Sequence, residues 1–172
     1  MKIYTIADKT EEKFLRTKTA DFDFSEHTKK DIDELIKKMK SAMLKAKGIG
    51  LSANQIGLDL NFFIAQIPKI QGQKIIGRES YTVFNPQITK ISKQTIATEE
   101  GCLSVPGIYG LVERSVSVVL RGEDRYSKKI TIKANDLLAR VFQHETDHLN
   151  GILFIDKAKK LYKTNETQNN NL

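Results

Sequence analysis

The chain has 172 residues, 40% hydrophobic and 28% charged, with 28 basic against 21 acidic side chains for a net charge of +7. That length suits about one domain with a hydrophobic core, the composition fits a soluble globular protein, and no apolar run approaches the ~18 residues of a membrane span. Cys102 is the single cysteine, which excludes an internal disulfide and leaves a nucleophile, a metal ligand or core filling.

The first residues, MKIYTIADKTEEKF, lack an apolar signal core and carry Asp8, Glu11 and Glu12, where a transit peptide avoids acids. A cytoplasmic location is the expectation. Residues 28–47 place Ile32, Leu35, Ile36, Met39, Met43 and Ala46 at helical spacing. Thr28 with Asp31 has the pattern of a capping box, and Gly48 stands where a terminating glycine belongs. This is the expected N-terminal amphipathic helix. The glycine-rich, apolar GIGLSANQIG follows, then a strand NFFIAQI ending at Pro68 and a loop or hairpin connection through KIQGQKIIGRES. YTVFN and ITKISKQTIAT read as strands separated by Pro86. LVERSVSVVLRG and YSKKITIK alternate as strands do, joined by a hairpin around residues 122–125. Asn135 starts a second helix that ends at Gly151. ILFID reads as a short strand or loop and DKAKKLYK as a short C-terminal helix, before a polar tail over residues 165–172. The sum is an α+β fold, one domain over residues 1–164, with antiparallel sheets packed around the helix of residues 135–150.

The lysines are scattered (Lys29, Lys30, Lys37, Lys38, Lys128, Lys129), with one denser cluster in DKAKKLYK. Scattered lysines are a solvated surface first and a nucleic-acid surface second.

The chemistry gathers in FQHETDHLNG, residues 142–151, which holds two of the three histidines. On a helix, positions four apart lie one turn apart on the same side, so His144 and His148 can grip one ion together. Glu145 is rotated aside, able to act as general base toward water at that ion, the logic of H-E-x-x-H. The alternative is two solvent-facing histidines. Against it, Leu137 and Val141 precede His144 on the same side, so the histidines continue an apolar stripe. An open catalytic site needs a third protein ligand. Downstream, the place of a third histidine is taken by Phe154, and beyond Asp156 the only acid is Glu166 in the tail. Upstream, Cys102 stands in EEGCLSVPG and becomes the favoured candidate, with a buried core thiol as the alternative. His27, beside charge and before a helix start, reads as solvated or capping. One thiolate and two imidazoles accept zinc, iron(II), nickel or cobalt.

Three segments in order, GIGLSANQ at 48–55, EGCLS at 100–104 and QHETDH at 143–148, resemble the peptide deformylase family, which removes the N-formyl group from nascent polypeptides. The resemblance spans most of the chain, from the first helix through residue 156. It implies that Cys102, His144 and His148 bind one divalent metal, iron(II) in the cell, and that Glu145 is the acid–base. It further implies that Gln55 and the Leu103 backbone N–H stabilise the oxyanion, and that Gly50 offers its carbonyl to the substrate amide. Ile49, Leu137 and Val141 are candidate walls for the substrate methionine, although core packing explains them equally well. Arg114 is positioned in sequence to pair with Asp147 or Glu100. Expected partners are an N-formylmethionyl peptide and, transiently, the ribosome, with no DNA and no membrane. Ser52 departs from the family's usual alanine, Asn54 occupies a variable position, and ADKTEEKFLR has Leu15 and Arg16 but lacks the family's proline. Two rivals remain at this stage: a general metallopeptidase, and a basic RNA- or ribosome-binding protein with a closed structural metal site.

Overall fold

The computed structural model describes residues 1–163. In chain order these form α1 (Lys9–Leu15), α2 (Lys29–Lys45), β1 (Gly50–Ser52), β2 (Phe62–Gln71), β3 (Lys74–Ile91), β4 (Thr95–Cys102), β5 (Val105–Ser115), β6 (Ser117–Glu123), β7 (Lys129–Asn135), α3 (Asp136–Leu149) and β8 (Ala158–Lys163). The architecture is mixed α+β. All strand pairings are antiparallel, in a five-stranded sheet of order β1-β2-β3-β6-β7 and a three-stranded sheet of order β4-β5-β8.

The first two helices have a local reason to begin where they do. The Asp8 carboxylate accepts the Thr10 and Glu11 N–H groups and starts α1, an element that the sequence reading passed over. Thr28 and Asp31 exchange side-chain and backbone bonds at the start of α2, whose Ile32, Met39, Ala42 and Met43 are buried. These side chains meet Leu51, Phe62, Ile64 and Phe84 in one core cluster. The helix closes with the Gly48 N–H donating to the Met43 carbonyl. Lys47, not Gly48, takes the left-handed conformation there, at φ 57°. Gly48 serves a different need, since a Cβ on it would come within 2.8 Å of the Leu103 side chain.

α3 lies on the larger sheet. Its Ala139, Val141, Phe142 and Leu149 share a cluster with Phe63, Ala65, Val83, Val118, Leu120 and Ala134. Full burial of an aromatic such as Phe142 is worth about 1.5–3 kcal/mol and fixes the helix by one face. The helix ends at Gly151, which adopts φ 73° against the Arg16 carbonyl.

Four strand expectations are corrected. β2 does not stop at Pro68 but runs to Gln71, because β1 pairs only with residues 63–65 of β2 and leaves no neighbour there, among the described residues, to miss a proline N–H. Pro86 does not divide two strands either. β3 carries it through a register shift between Phe84 and Gln87, with Asn85 at φ 48°. ITKISKQTIAT is split between β3 and β4, and LVERSVSVVLRG between β5 and β6; both breaks move the chain from one sheet to the other. DKAKKLYK is not a helix. It supplies β8, whose Tyr162 pairs with Tyr109 and whose Leu161 pairs with Gly110, so strand pairing with β5 overrides the helix-forming lysines. ILFID forms a single 3-10 turn at Phe154–Asp156. The expected polar tail, residues 165–172, lies outside the described residues.

Candidate active site

Cys102 ends β4 in a tight turn, with Cys102 paired to Val105 across it. α3 brings His144 and His148 to the same place from the other side, their ring centroids 4.8 Å apart. His148 Nε2 lies 3.1 Å from Cys102 Sγ and 3.2 Å from His144 Nε2. Donor atoms around one tetrahedral ion with bonds of ~2.0–2.3 Å stand ~3.3–3.6 Å apart, so the observed spacings need only a slight opening. Three electron pairs converging this closely call for a shared positive charge. The donor set of one sulfur and two imidazole nitrogens is therefore compatible with a divalent metal ion. His27 takes no part; it stacks on Phe22 at 4.6 Å.

Buried charges stand behind this cluster. Glu100 Oε2 lies 3.0 Å from His144 Nδ1, which assigns the Nδ1–H as donor and leaves Nε2 to present a lone pair. Arg114 donates to both oxygens of Glu100, at 2.9 and 3.0 Å, and with its third nitrogen to Asp147, the neighbour of His148. Thus Arg114 pairs with both acids rather than one. Lys157 covers Asp147 from outside. Burial by itself would raise the Glu100 carboxyl, but the bonds from His144 and Arg114 outweigh it and hold Glu100 down at about 2.

Without an ion, burial disfavours charge on both Cys102 and His144, yet each offers the other a counter-charge. The thiol is held well below its ordinary range by His148 and His144, and the His144 imidazole well above its own by Cys102 and Glu100. The surroundings of Cys102 thus favour a thiolate over a thiol. Glu145 shows the opposite tendency. Burial pushes it up to about 7, against the pull of the two histidines. Its Oε2 has no hydrogen-bond partner among the described residues, which leaves it available to an incoming group.

Gly50 in β1 allows this placement of Glu145: a Cβ there would come to 2.2 Å from Glu145 Oε1. Gln55, in the 3-10 turn Ala53–Ile56, accepts the Ser52 N–H on Oε1 at 2.9 Å. That bond fixes the carboxamide so that Nε2 donates to Ser104 Oγ at 3.1 Å and faces Cys102 Sγ at 3.5 Å. A cleft of about 670 Å³ opens above these groups, lined by Ile49, Gly50, Gln55, Cys102, Leu103, Leu137, Val141, His144 and Glu145. His148 lies beneath, only 1% exposed. Val141 also belongs to the core cluster, so it serves both cleft and packing.

Sequence reasoning missed three kinds of residue. Glu99, Tyr109 and Arg140 line the cleft, brought there by sheet pairing and helix placement that no local pattern announces. The bond from His144 to Glu100 spans 44 positions in sequence. Asn54, passed over as variable, is fully buried and donates to the His148 carbonyl at 2.5 Å. A usable signal existed for Asn54, since a polar side chain within the apolar GLSANQIG must find a partner if that segment is buried.

The family model described as polypeptide deformylase matches residues 1–164. A peptide deformylase of Hydrogenovibrio crunogenus is 41% identical over 138 residues, covering 80% of this chain and 78% of that protein. The crystal structure of a probable peptide deformylase from Synechococcus phage S-SSM7 superposes with a TM-score of 0.80 at 36% identity, over 91% of this chain and 99% of that one. A Met-Ala-Ser-bound class I type b peptide deformylase from Acinetobacter baumannii gives 0.81 at 27% identity, over 91% and 97% of the two chains. Sequence likeness of this extent, borne on the same fold, places the chain in the polypeptide deformylase family, whose enzymes remove the formyl group from the N-terminus of nascent polypeptides.

Proposed function

We propose that the chain, folded as one catalytic domain over residues 1–164, deformylates N-formylmethionyl peptides at a single metal centre held by Cys102, His144 and His148. The observation that carries this reading is the convergence of one cysteine sulfur and two imidazoles beside an unpartnered carboxylate oxygen, at the floor of a cleft. A divalent ion there supplies Lewis acidity, which brings water close to ionisation at neutral pH. Iron(II) is the proposed ion in the cell, with zinc, nickel or cobalt able to replace it.

The chain's own residues divide the remaining work. α3, the helix at the centre of the site, carries both histidines and the acid–base. Glu145 takes a proton from the attacking water and delivers it to the peptide nitrogen as the C–N bond breaks, so that formate and a free amine leave. Negative charge grows on the formyl oxygen during attack. Gln55 Nε2 and the Leu103 N–H meet it there, and their bonds strengthen as the charge develops. The Gly50 carbonyl holds the substrate amide, while Ile49, Leu137 and Val141 receive the methionine side chain. The tripeptide Met-Ala-Ser bound to the Acinetobacter baumannii relative supports a peptide that begins with methionine.

A cytoplasmic location agrees with this chemistry. No helix among the described residues is long and apolar enough to cross a membrane. Transient docking near the ribosomal exit is assigned to the basic segment that includes Lys157, Lys159, Lys160 and Lys163. Those lysines rim β8, and their attraction to RNA should fade as salt rises.

The test is metal analysis of anaerobically purified protein alongside hydrolysis of formyl-Met-Ala and of unformylated Met-Ala. About one transition ion per chain and turnover of the formyl peptide alone are expected. Cleavage of the unformylated peptide would make the chain a general peptidase instead. The iron form should lose activity in air and the nickel form should keep it; an air-stable iron form with intact Cys102 would count against iron(II) bound at the thiolate.

A further inference from the structure

His144 and His148 are held in different ways. The His144 ring is anchored through Nδ1 by Glu100, the usual device for orienting a metal-binding imidazole. The His148 ring has no such anchor, because its buried Nδ1 finds no partner among the described residues. What fixes His148 is its backbone. Its carbonyl accepts the Gly151 N–H at 2.9 Å, which only closes the helix, and the Asn54 side-chain amide at 2.5 Å, which comes from a different element.

Asn54 is itself constrained. With Nδ2 committed to His148, its Oδ1 must find a donor, and Ser52 Oγ stands 3.0 Å away. The same hydroxyl is 3.0 Å from Gln55 Oε1. One proton therefore lies between two carboxamide oxygens in a three-centre bond. Ser52 and Asn54 are both 0% exposed and Gln55 is 2% exposed, so water has little access to replace a lost bond. Ser52, which stands where the family usually has alanine, donates to Asn54, which occupies a variable position.

We infer that Ser52 and Asn54 act as one positioning unit, a buried latch that sets the backbone of His148 and the carboxamide of Gln55 in fixed relation. Neither residue lines the cleft. The inference rests on the roles proposed above for His148 and Gln55, and it names what keeps them in register.

The experiment compares Ser52→Ala, Asn54→Ala and the double variant with the wild type, in the nickel-loaded and the metal-free forms. Three readings are taken: nickel release to a chelator, turnover of formyl-Met-Ala, and the Gln55 side-chain amide resonances of the metal-free chain. Each single change should speed nickel release about tenfold, the range seen when supports of a metal ligand are removed. The double variant should be no faster than the faster single. Asn54→Ala should shift the Gln55 amide resonances although the two side chains do not bond directly, and kcat should fall more than KM rises. Unchanged release in Asn54→Ala, or accelerations that multiply in the double variant, would overturn the latch.

Val83→Ala, in the core of β3, provides a loss of stability away from the latch. It should lower the melting temperature yet release nickel at the wild-type rate, and faster release from it would reduce the latch to general stability. If Asn54→Ala does not fold, Asn54→Asp keeps the Ser52 acceptor while removing the donor to His148, and its release rate is judged in the same way. A wild-type chain that binds nickel but leaves formyl-Met-Ala intact would defeat the functional reading, while the release rates would still decide the latch.

Discussion

A carboxyl held near 7 by burial, with one oxygen unpartnered, is poised to exchange a proton at neutral pH, and that is the physical case for Glu145. Replacing Glu145 by Ala should leave metal content intact and lower kcat by about 10²–10⁴-fold; substantial residual turnover would remove it from the acid–base role. Gln55→Leu should lower kcat by about 10²–10³-fold with the metal retained, the result expected of the proposed contact to the charged oxygen of the transition state. Equal losses of metal and activity would make Gln55 a structural residue. The two histidines were readable from the sequence because helical spacing is local. The bond from His144 to Glu100 was hidden because it joins a helix to a strand end 44 positions away. Gly50 was read for its carbonyl alone; its lack of a Cβ also makes room for Glu145, a requirement visible only once the two elements meet.

Among the elements, the α+β class and the antiparallel strands followed from alternation and turn residues, but sheet membership did not. Nothing in LVERSVSVVLRG announces that β5 and β6 belong to different sheets, since alternation runs on while pairing partners change. Prolines misled for a related reason. Their meaning depends on whether a neighbouring strand is present to need the missing N–H, and that is a tertiary fact. The end of α3 is more tightly specified. Gly151 has φ 73°, and a Cβ there would sit 2.4 Å from the Arg16 carbonyl, next to the bond from the Thr19 N–H to the Leu149 carbonyl. Gly151→Ala should therefore cost at least the ~1–2 kcal/mol of a left-handed non-glycine residue, with further loss from the clash, measured by denaturant unfolding of the metal-free chain. A cost near zero would show that the α1 end of the contact yields freely.

On the scale of the molecule, Arg114 ties β5, β4 and α3 together through Glu100 and Asp147, with its side chain only 3% exposed. Arg114→Met should destabilise the fold by about 3–5 kcal/mol, because it leaves buried acids without their counter-charge. A loss below 1 kcal/mol would mean that Lys157 and His144 suffice. Because Glu100 is held below its unfolded value, its contribution is complete above the ordinary 4.5 and disappears as the pH falls through about 2, so acid unfolding should steepen in that window. In Arg114→Met that acid-side loss should move to higher pH.

The sulfur belongs to one sheet, while both imidazoles ride on a helix seated upon the other. Any sliding of one layer over its neighbour is thus registered at full amplitude between Sγ and Nε2. A slip by a single strand residue, ~3.3 Å, would exceed the whole 3.1 Å gap now separating those atoms. Chemistry at this seam, as proposed, monitors the alignment of the two halves, and a mutation that lets them shear, however remote, should be felt in turnover.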